Sequence, residues 1–90
     1  MITAIVLAKD AEASITTCVK SLAWCDEVLL ADDSSKDATR EIGKKLHARI
    51  LDIPKGESFS EKRNYALEKA KHDWVLFVDA DEYVTEALQK

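Results

Sequence analysis

The chain contains four short apolar runs at similar intervals, and this spacing restricts the possible folds more than any other feature of the sequence. The runs are Ile2–Ala8, Glu27–Asp32, residues 49–53 and Trp74–Asp79. Each has the length of a strand and carries mostly consecutive apolar residues, which is typical of strands that are buried on both faces. The sequence therefore predicts four interior strands.

The first two connections between these runs predict helices. The first connection has apolar residues at the i, i+3, i+4 and i+7 positions of one helix face, namely Ile15, Cys18, Val19 and Leu22. The second has a weaker stripe, and Ser34 with Asp37 resembles a capping box that opens it. We expect this second helix to cover residues 37–47.

The third connection carries a clearer start signal. Ser58 is followed three residues later by Glu61, and Ala66, Leu67 and Ala70 then share one helix face. We expect a helix over residues 59–71. Residues 85–90 resemble the first turns of a fourth helix.

Strands that alternate with helices in the order βαβαβαβ predict an α/β fold, a three-layer, Rossmann-like arrangement with a parallel sheet and helices on both faces. In the commonest doubly wound arrangement three successive strands step in one direction and the fourth returns beside the first, which gives the order 3-2-1-4. Ligands of such sheets bind where the direction reverses, beyond the carboxyl ends of the strands. The residues that follow the strands are therefore the first candidates for a functional site.

Charge and hydropathy exclude several classes of function. The 13 Lys and Arg residues against 17 Asp and Glu residues give a formal charge of −4, which argues against a nucleic-acid partner because phosphate binding favours a basic surface. An acidic chain also repels a free nucleotide, so a nucleotide site would need a cation. The apolar runs are far shorter than the roughly 18 residues of a membrane span, and early charges argue against a secretory signal. We expect a cytoplasmic protein.

The strongest local signal is an apolar strand that ends in two carboxylates, Asp79 and Asp81, separated by one residue. Alternate side chains at a strand end emerge on the same side, so both can reach one hard cation, Mg²⁺ or Mn²⁺, whose other positions suit phosphate oxygens and water. The competing interpretation is a solvated acidic turn. The position at the reversal point of the sheet favours the metal site.

Two further side chains are candidates for ligand binding. A carboxylate at Asp33 can accept a hydrogen bond from a base N–H, while Ser34 can cap the next helix; alternatively, Asp32 and Asp33 only form a turn near a helix N-terminus. Arg63 continues the sheet-facing stripe of the third helix, so it either holds a diphosphate or braces an aspartate in the crevice. We expect the neighbouring Lys62 to be solvated.

Several segments together resemble the N-terminal half of a family 2 glycosyltransferase. These segments are residues 4–10 (AIVLAKD), 21–28 (SLAWCDEV), 32–39 (DDSSKDAT), 62–67 (KRNYAL) and 73–82 (DWVLFVDADE). Their order and spacing agree together over essentially all 90 residues, which is more specific than any single motif. Among the members of the family, the sequence is most similar to the bacterial enzymes that decorate lipopolysaccharide cores.

The resemblance implies a GT-A fold that uses a nucleotide-diphospho-sugar, often a UDP-sugar, and a divalent metal. Ala8 and Lys9 match the family segment that lies along the base, and Asp33 matches the aspartate that reads the base. Asp79 matches the aspartate near the ribose and diphosphate, and Asp81 matches the metal ligand. The sequence departs from many relatives after the first strand, where Asp10-Ala11 stands in place of Asn-Glu.

The resemblance also implies a saccharide or lipid-linked acceptor, and a place in the cytoplasm or at the periphery of the inner membrane. The family's acceptor-binding half and catalytic base are expected beyond residue 90, so no catalytic residue is assigned within the chain. Residues 1–90 are then the donor-binding part of a longer domain and are expected to be inactive alone. Their uncovered apolar surface would favour self-association.

Three alternatives come from other classes. A dinucleotide-binding domain would share the topology, but the chain lacks the Gly-x-Gly-x-x-Gly that admits a pyrophosphate. A phosphatase of the haloacid dehalogenase type also carries Asp-x-Asp after an apolar strand, although that motif normally opens the fold and here it comes late. The third alternative is a catalytically silent fragment or a nucleotide-binding module.

Overall fold

The computed structural model describes residues 1–54, 56, 58–80 and 84–89. The strands are β1 (Ile2–Ala8), β2 (Glu27–Asp32), β3 (Arg49–Asp52), β4 (Trp74–Asp79) and β5 (Val84–Gln89). The helices are α1 (Ile15–Ser21), α2 (Thr39–Lys45) and α3 (Phe59–Lys69). None of the helices in this part of the chain has the length and apolar character that a membrane crossing requires.

The strands form one sheet in the order β3-β2-β1-β4-β5, in which the first four strands are parallel. This confirms the predicted order 3-2-1-4. The prediction of a helix over residues 85–90 is wrong, because β5 pairs antiparallel with β4 at the edge of the sheet. Backbone hydrogen bonds to a neighbouring strand there outweigh the helix preference of Glu86, Ala87 and Leu88.

Helices cover both faces of the sheet, as the sequence predicts. One core cluster joins α1 and α2 to one face, through side chains that include Ile15 and Leu22 against Val6, Leu30 and Val78. The second cluster joins α3 to the other face, through Ala66 and Ala70 against Ile5, Leu29, Ala31 and Phe77. Alternate residues of each strand therefore face different helices, which explains why the strands are apolar throughout.

The start of α2 differs from the prediction. The helix begins at Thr39 after the N-cap Ala38, with no side-chain hydrogen bond at the cap, so the expected capping box of Ser34 and Asp37 does not form. Ser34 instead has a left-handed backbone with φ +57°. The capping box of α3 is confirmed: the Ser58 hydroxyl accepts from Glu61 N at 3.2 Å, and the Glu61 carboxylate accepts from Ser58 N at 2.9 Å. This box fixes the first turn of α3.

A polar cluster ties the strands together at their amino ends. The Glu27 carboxylate accepts hydrogen bonds from Thr3 Oγ1 at 2.9 Å, Arg49 Nε at 2.9 Å and the Lys71 backbone N–H at 3.3 Å. Burial alone would raise the pKa of Glu27, but these three hydrogen bonds and the charge of Arg49 bring it below its ordinary value. The ionised carboxylate is therefore part of the folded structure.

Candidate functional site

The carboxyl ends of β1, β2 and β4 meet at one edge of the sheet. The backbone hydrogen bonds between neighbouring strands continue past the strand ends: Asp33 N donates to Ala8 O at 2.8 Å, and Ala80 N donates to Leu7 O at 3.1 Å. The end of β1 thus lies between Asp33 on one side and Asp79 on the other, and Leu7 is paired in register with Asp79. This is the convergence that the strand order predicts.

The loop after β1 and the loop after β2 are joined by reciprocal hydrogen bonds. Asp10 N donates to Ser35 Oγ at 2.8 Å, and Lys36 N donates to Asp10 Oδ1 at 2.6 Å. Asp10 has φ +49°, a left-handed conformation that Asp and Asn tolerate better than other residues with a side chain. An Asn at this position would offer the same acceptor, so the departure from the family pattern at Asp10 preserves the loop's hydrogen bonding.

A second set of hydrogen bonds fastens the same two loops through Asp37 and Thr39. Glu12 N donates to Asp37 Oδ2 at 3.0 Å, and Ala11 N donates to Thr39 Oγ1 at 2.8 Å. Thr39 is fully buried, and both its backbone N–H and its hydroxyl donate to Asp37 Oδ1. The hydrogen bond from the Thr39 hydroxyl is the main reason that the pKa of Asp37 lies below its ordinary value. These hydrogen bonds join the two loops into one rim, which we call the loop clamp.

Three adjoining cavities lie along this edge. A polar cavity of about 500 Å³ is lined by Lys9, Asp10, Asp33, Ser34, Lys36, Gly56 and Lys62. An apolar pocket of about 160 Å³ is lined by Leu7, Ala8, Lys9, Asp33, Ile53 and Lys62. A third cavity, of about 290 Å³, is lined by Leu7, Lys9, Asp10, Ala11, Ala13, Ser14, Asp79 and Ala80. Lys9 borders all three, so the predicted residues Ala8, Lys9, Asp33 and Asp79 all lie on connected surface.

A cavity of similar size, about 470 Å³, lies at the opposite edge of the sheet, where Glu27 and Arg49 contribute to its wall. Glu27 and Arg49 in its wall form an ion pair with each other, and none of the predicted site residues lines it. In open α/β sheets ligands bind at the carboxyl edge. The three cavities around Lys9 are therefore the candidate site.

Asp33 and Lys62 form an ion pair at the wall between the polar cavity and the apolar pocket. Lys62 Nζ lies 2.8 Å from Asp33 Oδ2, and the two side chains are 26% and 24% exposed. The expectation that Lys62 is solvated is therefore wrong, because the capping box of α3 places this residue in the first turn, above the end of β2. The neighbouring Asp32 is different: it is buried and accepts from Ser35 N at 3.2 Å, which is a turn-forming role.

Arg63 lies against β4. Its guanidinium carbon is 4.5 Å from the centre of the Phe77 ring, which is the distance of a cation–π contact. Phe77 precedes Asp79 by two residues, and alternate strand residues share a face, so Arg63 and Asp79 lie on the same side of β4. Arg63 thus faces the sheet as its helix stripe predicts, and its expected contact with a diphosphate or an aspartate stays a prediction.

The predicted metal site is only partly covered by the structure. Asp79 is half-buried at the end of β4 and borders the third cavity, and a carboxylate in that position fits a hard cation. Asp81 lies outside the described residues. Within residues 1–54, 56, 58–80 and 84–89, no three His, Cys, Asp or Glu side chains are close enough to hold a metal.

Sequence reasoning missed the roles of Thr39 and Lys62. A Thr two residues after an Asp is a pattern in which loop side chains bind neighbouring backbone groups, and this signal was available at Asp37. Lys62 lies four residues after the N-cap Ser58, so it belongs to the helix turn closest to the carboxyl ends of the strands. Its partner Asp33 is 29 residues away, and local patterns cannot identify contacts at such a separation.

Comparisons with known proteins agree with this architecture. The sequence model of glycosyl transferase family 2 matches residues 3–90. An uncharacterized glycosyltransferase of Rickettsia typhi is 33% identical over 89 residues, which cover 98% of this chain and 30% of that protein. The poly(ribitol-phosphate) beta-N-acetylglucosaminyltransferase TarS of Staphylococcus aureus is 35% identical over 92 residues, covering 90% of this chain and 16% of that protein.

Among solved structures, glucosyl-3-phosphoglycerate synthase from Mycobacterium tuberculosis in complex with Mn²⁺, UDP and glucosyl-3-phosphoglycerate superimposes with a TM-score of 0.78 and 24% identity. The match covers 89% of this chain and 33% of that one. The chain thus spans about a third or less of the length of the proteins that it matches. Because the family model covers almost every residue, the chain belongs to glycosyl transferase family 2.

Proposed function

We propose that the protein transfers a sugar from a nucleotide-diphospho-sugar, a UDP-sugar, to a hydroxyl group of a saccharide or lipid-linked acceptor, and that residues 1–90 bind the donor. The convergence of Lys9, Asp33 and Asp79 around the end of β1 supports this proposal most directly. The UDP and Mn²⁺ in the complex of glucosyl-3-phosphoglycerate synthase from Mycobacterium tuberculosis are consistent with it.

The residues of the site have separate tasks in this proposal. Asp33 accepts a hydrogen bond from the base, while Ala8 and Lys9 lie along it. Arg63, which lies on the same face of β4 as Asp79, would contact the diphosphate. In a chain with a net charge of −4, the lysines of the polar cavity provide local positive charge for an anionic ligand.

Asp79 and Asp81 are the side chains that would hold a divalent cation, Mg²⁺ or Mn²⁺. Such a cation, when bound, supplies Lewis-acid stabilisation of the departing nucleoside diphosphate. Without it the two carboxylates oppose binding: two unit charges about 4 Å apart at an effective dielectric of about 20 interact by roughly 4 kcal/mol. Donor binding should therefore depend on metal.

Calorimetry with UDP tests the proposal. Binding to the wild-type chain should require Mn²⁺, and Asp81→Asn should abolish the metal-dependent part, because it removes the charge that holds the cation. Asp33→Ala should weaken the preference among bases but leave the metal requirement. Equal affinity for UDP with and without metal would contradict the assignment of Asp79 and Asp81.

A nucleotide-binding module without catalysis is the second candidate, because the residues that line the three cavities are all assigned to binding and none of them to catalysis. Both candidates predict UDP binding. They differ in turnover: the whole protein that contains residues 1–90 should hydrolyse or transfer the sugar of a UDP-sugar only if it is an enzyme. A location in the cytoplasm or at the inner membrane stays a prediction from the sequence.

A further inference from the structure

The ion pair of Lys62 and Asp33 lies where two cavities of different character meet. Both residues line the polar cavity, and both line the apolar pocket together with Leu7, Ala8 and Ile53. A flat ring can lie against these three apolar side chains while its polar edge meets the pair. The third cavity, which Asp79 borders and which shares Leu7 and Lys9 with this pocket, then remains for the charged part of the same ligand.

The pair offers one donor and one acceptor side by side. Among the described residues, Lys62 Nζ donates one of its three N–H groups to Asp33 Oδ2, at 2.8 Å, and the other two are left for a ligand. Within the same part of the chain, Asp33 Oδ1 is left to accept from a ligand, since Oδ2 holds the lysine. The ion pair also fixes the carboxylate in one orientation, which reduces the cost of ordering it when a ligand binds.

Nucleobases differ in the pattern that they present to such a pair. Uracil has a carbonyl oxygen next to an imide N–H, which is an acceptor beside a donor. Cytosine has an amino group next to an unprotonated ring nitrogen, which is the reverse. When both bases lie in one orientation, with O4 of uracil or the amino group of cytosine toward Lys62, uracil satisfies both Lys62 and Asp33, whereas cytosine places donor against donor and acceptor against acceptor. Polar groups that lose water without gaining a partner reduce affinity strongly.

We propose that Lys62 is a specificity-determining residue of the donor site, which together with Asp33 selects uracil over cytosine. This inference rests on the proposed function, because it requires a nucleotide at the carboxyl edge. It adds to that function a second side chain that recognises the base, Lys62 of α3, beside Asp33, which follows β2. The capping box of Ser58 and Glu61 holds this group in place by fixing the first turn of the helix.

A simpler role for Lys62 would be general attraction of the diphosphate. Lys9 and Lys36 also line the polar cavity and carry the same charge. If charge alone mattered, each of the three lysines would raise the affinity for UDP and for CDP by a similar factor. Lys36, unlike Lys62, does not line the apolar pocket. A substitution at Lys36 is therefore the matched control, because it removes an equal charge from the same cavity without touching the apolar pocket.

The experiment measures dissociation constants of UDP and CDP in the presence of Mn²⁺, by calorimetry on the full chain. The wild type should prefer UDP by about tenfold or more, the value of one hydrogen bond to a charged group. Lys62→Met should weaken UDP binding by about tenfold and CDP binding much less, so that the preference for UDP falls by several-fold and only the contribution of Asp33 is left. Lys62→Arg keeps a donor and should retain the preference, while Lys36→Met should weaken both nucleotides equally.

The possible outcomes distinguish failure of this inference from failure of the proposed function. A Lys62→Met variant that weakens UDP and CDP by the same factor, or keeps the wild-type ratio, overturns the inference and leaves the proposed function standing. Equal binding of UDP and CDP by the wild type overturns the inference and the base-reading role of Asp33, and leaves metal-dependent donor binding standing. Failure of the wild type to bind either nucleotide with Mn²⁺ overturns both. Melting temperatures of the variants establish that each remains folded.

Discussion

Replacement of Thr39 by Val removes the centre of the loop clamp while keeping the shape of the side chain. The Thr39 hydroxyl accepts from Ala11 N at 2.8 Å and donates to Asp37, and the side chain is 0% exposed. Val fills nearly the same volume, so packing changes little. Thr39→Val leaves the Ala11 N–H, in a partly buried position, without its partner.

The expected cost follows from that lost partner. An unpaired buried donor costs about 1–3 kcal/mol, and the partial burial of Ala11 places the value at about 1.5 kcal/mol. For a domain of this size such a loss lowers the melting temperature by roughly 6–12 °C. Thr17→Val is the control, because Thr17 is an exposed residue of α1 and its replacement should change stability by less than about 0.5 kcal/mol.

Thr39→Val should also change how the stability of the protein depends on pH in the acidic range. The hydrogen bond from Thr39 is the first cause of the lowered pKa of Asp37, so this pKa should rise toward its ordinary value in Thr39→Val. In the wild type the stabilisation from ionised Asp37 is present above the unfolded-state pKa, about 3.9, and is lost as pH falls through the lower folded-state pKa. The two proteins should therefore differ more at pH 7 than under strongly acidic conditions. Urea unfolding followed by circular dichroism at several pH values measures this, and a Thr39→Val variant as stable as Thr17→Val would refute the reasoning.

Three further predictions concern stability. Gly43→Ala should destabilise the chain by about 1 kcal/mol despite the better helix propensity of Ala, because the added Cβ would lie 2.5 Å from Leu30 Cδ2 in the core; an unchanged urea midpoint would contradict this. Glu27→Gln should be less stable than the wild type at pH 7, and its free energy of unfolding should change less as the pH is lowered. The reason is that the lowered pKa of Glu27 makes the ionised form stabilising above the unfolded-state pKa, and this contribution disappears as pH falls. Parallel profiles of unfolding free energy against pH for the two proteins would exclude this. Asp10→Asn should be neutral, whereas Asp10→Ala should cost about 1 kcal/mol or more through the left-handed backbone and the lost bond from Lys36 N; thermal melting of both variants decides this.

The strand order and the two-sided helix packing could be predicted because their signals are local. Each of the first four strands is a single apolar run, and the stripe from Ile15 to Leu22 marks the buried face of α1. Ser58 and Glu61 likewise mark the start of α3 within four residues. From such elements the rule for parallel crossovers leaves few topologies, and 3-2-1-4 is the commonest.

The features that the sequence did not predict depend on contacts between distant segments. Glu86, Ala87 and Leu88 are good helix formers, yet residues 84–89 pair with the edge of β4. Asp37 resembles the start of a helix, but its carboxylate binds the backbone of Glu12, which belongs to another loop, and α2 begins only at Thr39. By its local sequence Lys62 resembles a solvated surface lysine, but in the fold it forms an ion pair with Asp33. In each case a long-range partner overrides a local preference.

Helix α3 connects the two sides of the candidate site. Its consecutive residues Lys62 and Arg63 reach different strands: Lys62 pairs with Asp33 after β2, and Arg63 lies over Phe77 of β4. These strands flank β1, so their axes are about 9–10 Å apart, a span that two long side chains from one helix turn can bridge. A nucleotide with its base at Asp33 and its diphosphate toward Asp79 would lie across the end of β1, beneath the first turns of α3. If the proposed function holds, the position of α3 sets the distance between the side chains that recognise the base and those that recognise the diphosphate, and a change in the first turn of this helix should alter both together.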